Sequence, residues 1–328
     1  MPLASLRDAP GRLIDAGGVR LYLHAVGSGG PVVVLDAALG ATSLSWLLVQ
    51  DAVARFARTC SYDRAGLGWS ARGPLPRTAG RIAEELRALL ENAGEAPPYL
   101  LVGHSFGGLV MRVFAGRWPE LTAGLVLVDP AQPEDWVRPA PKEQMAIDQG
   151  VRLCRRGYVA ARLGIARLVA TLVGMGALTP AWRLVRLVSR GAVTRRDGLW
   201  APMLKLPPGT RGPLRRFWSQ AKFYEALGSQ IENISTSAAE TLATAAGGYG
   251  DLPLVTISST DPGDYRIRQQ DALARLSTRG RHIVASNSGH WIPLDQPDLV
   301  VDVIRKMEIE IRDQEAGIRD WASPLHPD

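Results

Sequence analysis

The sequence predicts an α/β protein: a mostly parallel sheet, helices on both faces, and a helical cap inserted late in the chain. Three observations predict it. Strand-like and helix-like segments alternate through the first third of the 328 residues, and such alternation calls for crossover helices between parallel strands. The alternation stops near residue 131 and resumes near 250, a gap too long for a loop in a compact domain. Finally, one glycine-rich turn joins an apolar strand pattern directly to a helical one, at Gly103-His104-Ser105-Phe106-Gly107.

Each element has its own signal. Residues 12–15 and 19–26 are short apolar runs split by Gly17-Gly18, which reads as a hairpin. Residues 31–36, Pro-Val-Val-Val-Leu-Asp, form the continuous β-branched run of a strand buried on both faces. A helix is expected over 45–56, a strand over 59–62, a helix over 82–90 and a strand over 99–103. A helix over 107–117 stops before Pro119, and a strand follows over 125–128. After the gap come a strand at 254–258, a helix at 266–276, a strand at 282–285 and a helix at 299–311. Within the gap, amphipathic helical patterns cover 151–173, 182–188 and 217–231. The expected organisation is therefore a core formed by residues 1–131 and 250–328, with residues 132–249 as a mostly helical cap.

Composition narrows the function classes. With 46% hydrophobic residues the chain can bury enough surface to offset its ordering entropy, so disorder is excluded as its main state. The longest suspicious apolar run, 158–178, is broken by Arg162 and Arg167, which argues against a spanning helix. The start, Met1-Pro2-Leu3 with Arg7 and Asp8 close behind, does not read as a secretory signal. Two cysteines, Cys60 and Cys154, make neither a disulfide framework nor a metal pattern, and a reduced, cytoplasmic setting is expected.

Net charge is +6, and it is unevenly spread. Residues 133–250 carry 17 Lys/Arg against 8 Asp/Glu, while the rest of the chain is slightly acidic. No basic stripe interleaved with aromatic residues is visible, so nucleic acid is not expected as a partner.

The turn at residues 103–107 carries the chemistry. Its G-x-S-x-G spacing between a strand and a helix puts Ser105 on a sharp bend that admits only small neighbours, with Oγ raised above the sheet. A hydroxyl is a weak nucleophile and needs a base to take its proton. Of the five histidines, His24 and His282 fall in expected strands, His326 in a polar tail, and His104 at the variable position of the turn. His290, in Ser288-Gly289-His290-Trp291, follows the last expected strand, at the carboxyl edge of the sheet beside Ser105. A carboxylate should orient that imidazole. Asp261, after the strand at 254–258, is the expected acid; Asp129, closing the strand at 125–128, and Asp264 remain alternatives.

The residues Tyr62-Asp63-Arg64-Ala65-Gly66-Leu67-Gly68-Trp69-Ser70, Val102-Gly103-His104-Ser105-Phe106-Gly107-Gly108 and Ser288-Gly289-His290-Trp291 resemble the α/β-hydrolase fold family, in particular its bacterial serine hydrolases. The likeness covers about 12–131 and 250–312. It implies an eight-stranded, mostly parallel sheet, a cap after strand 6, a Ser–acid–His triad and no cofactor.

Many relatives carry His-Gly after the third strand, whereas this chain has Asp36-Ala37-Ala38-Leu39-Gly40. An oxyanion hole needs only backbone N–H groups, so Phe106 and Leu39 are the expected donors, with Ala38 the alternative to Leu39. Asp63 and Arg64 are expected to fix the loop after strand 4. Trp46, Trp69 and Trp291 are candidates for the pocket mouth or for packing.

The expected activity is hydrolysis of a carboxylic ester through an acyl-enzyme, with a lactone or thioester open to the same machinery. A C–C bond hydrolase, a peroxide-dependent relative and a non-catalytic small-molecule binding protein are the alternatives. The expected partner is a small apolar ester. The arginines of the cap also admit contact with a lipid surface.

Overall fold

The computed structural model describes residues 9–193, 205–260 and 263–316. The β-branched and leucine-rich runs pair into one sheet: β1 (Arg12–Asp15), β2 (Arg20–Val26), β3 (Val32–Asp36), β4 (Thr59–Asp63), β5 (Tyr99–His104), β6 (Thr122–Val128), β7 (Leu254–Ser259) and β8 (Gly280–Ala285). Their order is β1-β2-β4-β3-β5-β6-β7-β8. β2 runs antiparallel to both β1 and β4, and every other pairing is parallel. The central strands β3, β4 and β5 are buried along their whole length, as their unbroken apolar runs require.

The connections are helical. α1 (Leu47–Val53), α2 (Ala79–Ala93) and α3 (Phe106–Arg117) serve the first half of the sheet. Between β6 and β7 come α4 (Pro133–Val137), α5 (Pro141–Arg162), α6 (Ile165–Gly174), α7 (Leu178–Ser189), α8 (Arg211–Trp218), α9 (Ala221–Glu232) and α10 (Ile234–Thr244). After β7 come α11 (Gly263–Ala274), α12 (Ile292–Asp295) and α13 (Pro297–Glu315). One core layer packs α2, α3 and α11 on one face of the sheet, around Leu86, Leu109 and Phe114. The other packs α1 and α13 on the opposite face, around Trp46, Val102 and Ile304.

The segment between β6 and β7 departs from the sequence expectation in two places. The pattern over 151–173 is not one helix. Gly164, at φ +77°, ends α5 and starts α6, and the two axes differ by 84°. A left-handed residue is costly for any side chain with a Cβ, so the break falls at the glycine. The pattern over 217–231 likewise resolves into α8 and α9. Among the described residues, no single helix is long and apolar enough to cross a membrane.

The last helix of that segment, α10, packs on α2 and α3 in the layer that covers the sheet. Gly116 of α3 sits so close to it that a Cβ would lie 2.5 Å from the Thr244 carbonyl oxygen. The side chains of α10 also complete the amino end of α2. Ser237 Oγ accepts from the Ala79 N–H (3.0 Å), and a Glu240 carboxylate oxygen accepts from the Gly80 N–H (2.7 Å). Thr78, the residue before the helix, supplies a third acceptor to the Arg81 N–H. Three N–H groups that the helix cannot satisfy internally are thus partnered, two of them from another element. Replacing Glu240 by Ala should cost about 1–2 kcal/mol of stability by removing a charged acceptor from a helix amino terminus. Urea denaturation measures this directly, and an unchanged midpoint would contradict it.

Candidate active site

Ser105 occupies the tight turn between β5 and α3, at φ 55° and ψ −117°. A non-glycine residue there carries strain of about 1–3 kcal/mol, held by its surroundings. The glycines around it are demanded by close approach. A Cβ on Gly103 would stand 2.6 Å from the Gly107 carbonyl oxygen, one on Gly107 2.5 Å from that of Asp36, and one on Gly108 2.6 Å from the Pro130 side chain. The Ser105 N–H donates to the Val128 carbonyl (3.0 Å), and its own carbonyl accepts from Gly108 and Ala131. The turn is therefore tied to β6 as well as to its own helix.

His290 leaves the end of β8 and reaches back over the sheet edge. Ser105 Oγ lies 3.0 Å from its Nε2, in position to donate to it. On the other side of the ring, Nδ1 lies 2.6 Å from Asp129 Oδ2, and the carboxylate accepts from it. Asp129 is brought there by register. His104 of β5 pairs with Val128 of β6, so the next residues, Ser105 and Asp129, emerge side by side. Asp129 is buried and, like Ser105, has a positive φ, of 40°. Burial pushes its carboxyl up, but the hydrogen bond and charge of His290, helped by the Ser259 N–H, hold it below the usual carboxylate range. Of the three candidate acids, Asp129 makes this contact. Asp261, the acid expected from the sequence, lies outside the described residues, and Asp264 falls in the first turn of α11.

The loop after β3 faces the same point. Arg64, only 2% exposed, pairs with Asp36 at the end of β3 (2.8 Å). Its guanidinium also donates to the carbonyls of Ala37 and Ala38 and to Gln230 of α9, and it stacks over the Phe106 ring at 5.0 Å. In a trans peptide the N–H points opposite to the carbonyl. Holding the Ala38 carbonyl toward Arg64 therefore turns the Leu39 N–H away from it. Neither the Leu39 nor the Phe106 N–H has an intramolecular acceptor among the described residues. Asp63 anchors the neighbouring loop by accepting from the N–H groups of Ser43 (2.8 Å) and Trp69 (2.9 Å).

His104 is a contact that sequence reasoning did not anticipate. Its Nε2 donates to the backbone carbonyl of His290 (2.7 Å), and the two rings lie 4.9 Å apart. Burial, with the nearby His290 adding to it, lowers the His104 pKa to about 3, so its ring is neutral. The signal would have been the adjacency of residue 104 to the nucleophile, but which loop it holds depends on the tertiary fold. The tryptophans divide. Trp46 is fully buried in the core, and Trp69 packs between Tyr22 and Phe217 at 4.6 and 4.8 Å. Trp291 lines a cavity.

That cavity has a volume of about 490 Å³. It begins at Leu39, Gly40 and Trp291, next to Ser105 and His290, which do not themselves line it, and runs between α5, α6, α7 and α9. Val169, Val173, Val185 and Val188 make most of its far wall apolar.

Known proteins resemble the chain at two levels. Protein YqjL of Bacillus subtilis is 38% identical over 109 residues, which is 33% of this chain and 43% of that protein. The chain thus aligns with less than half the length of this curated relative. An esterase of Thermogutta terrifontis superposes with a TM-score of 0.64 at 19% identity, covering 92% of this chain and 99% of the esterase. An enol-lactonase of Burkholderia xenovorans superposes with a TM-score of 0.61 at 18% identity, covering 90% and 99%. At such identities the likeness is one of fold. The sequence profile of the alpha/beta hydrolase family matches residues 23–303, and with the eight-stranded sheet and the turn at Ser105 the chain belongs to that family.

Proposed function

We propose that the protein is a serine hydrolase that cleaves carboxylic esters, with Ser105 as nucleophile, His290 as base and Asp129 as the orienting acid. The observation that carries this reading is the unbroken hydrogen-bonded chain from Ser105 Oγ through the His290 ring to Asp129. It lies beside two backbone N–H groups with no internal acceptor.

In the first step Ser105 Oγ attacks the ester carbonyl carbon while His290 Nε2 takes the hydroxyl proton. Asp129, kept ionised by its contact with His290, stabilises the imidazolium that results. The carbonyl oxygen becomes an oxyanion, which the N–H groups of Phe106 and Leu39 receive; such donors are worth about 3–4 kcal/mol each in related machinery. The tetrahedral intermediate collapses, the C–O bond to the alcohol breaks, and His290 returns its proton to the departing oxygen. Water then attacks the acyl-enzyme, His290 takes its proton, and Ser105 is regenerated with release of the acid. Lactones and thioesters fit the same sequence of steps. The apolar cavity supports an apolar acyl group as the part of the substrate that lies between the cap helices.

Hydrolysis of p-nitrophenyl esters of rising acyl length tests the proposal. Medium chains should be turned over with a higher kcat/KM than acetate, and Ser105→Ala should lower kcat by on the order of 10⁶-fold. Activity that survives in the Ser105→Ala variant, or no turnover of any ester, would overturn it.

His104 predicts a dependence of stability on acid. The unfolded chain takes a proton on this ring below about pH 6.5, whereas the folded chain resists it down to about 3. The contribution is therefore complete above pH 6.5 and is lost progressively as the pH falls toward 3. Between pH 7 and pH 5 the loss is about 2 kcal/mol. His104→Gln, whose amide can still donate to the His290 carbonyl, should lack this component. Denaturation at both pH values reads it out as a smaller drop in the variant than in the native chain. Equal drops would contradict it.

A further inference from the structure

The helices α5, α6 and α7 have two apolar faces. The inner one lines the cavity. The outer one leaves Leu163, Leu168, Met175, Leu178 and Leu187 between 51% and 77% exposed, and none of these lines the cavity. Exposed arginines stand among them: Arg162, Arg183, Arg186 and Arg190. The charge is one-sided over a long stretch. Among the described residues of 149–193 and 205–224 there are 13 Lys/Arg and no Asp or Glu. Arg155 is paired with Glu232 and Lys205 with Asp295, but those four arginines have no acidic partner among the described residues.

We propose that this outer face docks on the surface of an anionic phospholipid bilayer. Leucines exposed beside unpaired arginines are poorly served by water, which welcomes the charges and not the side chains between them. A second copy of the chain would cover the leucines but set arginine against arginine. An anionic leaflet answers both demands, with the leucines in the acyl boundary and the guanidinium groups at the phosphates. The shape agrees. α5 and α6 meet at 84° around Leu163 and Gly164, so the pair presents a corner to an interface. A recess of about 620 Å³ opens beside α6, lined by Arg167, Thr171, Arg215, Arg216, Ser219 and Gln220, a set of donors suited to a headgroup phosphate. Arg215 and Ala170 line both this recess and the apolar cavity, which places the headgroup site against the acyl site.

Flotation of the full chain carrying Ser105→Ala tests the proposal without any turnover, so it stands or falls separately from the ester reading. The probes are vesicles of phosphatidylcholine alone and of phosphatidylcholine with 30 mol% phosphatidylglycerol. The protein should float with the anionic vesicles and not with the neutral ones, and added salt should release it. R183Q/R186Q/R190Q should weaken binding by about fivefold per charge removed, on the order of 10² in all. L163S/L187S should weaken it at least tenfold, with both variants matching the parent in thermal midpoint and far-ultraviolet dichroism. Equal binding to both vesicle types, binding to neither, indifference to both sets of substitutions, or self-association through this face would each overturn it.

Discussion

The site depends on where the Arg64 guanidinium is held. It is buried, so its charge must be matched, and Asp36 at the carboxyl end of β3 matches it. Its remaining donors are taken by the carbonyls of Ala37 and Ala38, which fixes the loop that carries Leu39. The same group stacks on Phe106 and bonds Gln230 of α9, so one side chain joins the sheet, the loop, the nucleophile helix and the cap. Removing it would leave Asp36 buried without its cation, at a cost of about 3–5 kcal/mol. It would also free the peptide planes that turn the Leu39 N–H toward the reacting carbonyl.

Around that anchor, the parallel sheet does the positioning. β5 and β6 end in register, so Ser105 and Asp129 leave the sheet as neighbours, both at positive φ. β8 delivers His290 to the same edge, and His104 beneath it holds the carbonyl of the His290 loop. The strain at Ser105 is stored by packing that leaves no room for a Cβ at Gly103, Gly107 or Gly108. The glycines and the nucleophile are thus one constraint.

This explains which parts were legible in the sequence. The turn at 103–107 was legible because its steric demands are local and write themselves into adjacent residues. The strands were legible because their burial makes continuous apolar runs, and His290 because it follows the last of them. The acid was harder. The ends of both β6 and β7 point at the same histidine, and register between strands separated by more than a hundred residues leaves no mark in either segment. Asp129-Pro130 reads equally as a turn. Arg64 was expected to steady its own loop, but its reach to Ala37 and Ala38 belongs to the tertiary fold. In the cap, amphipathic periodicity showed helices without their breaks, and only Gly164 hinted at the bend between α5 and α6.

Covalent labelling by a fluorophosphonate, followed by intact mass and peptide mapping, tests whether Ser105, His290 and Asp129 act as one unit. A single adduct should form on the peptide containing Ser105, with release of fluoride. Asp129→Asn should slow its formation on the order of 10⁴-fold, since the imidazole then loses the carboxylate that stabilises its charged form. An adduct on another residue, or labelling at the native rate in Asp129→Asn, would contradict it.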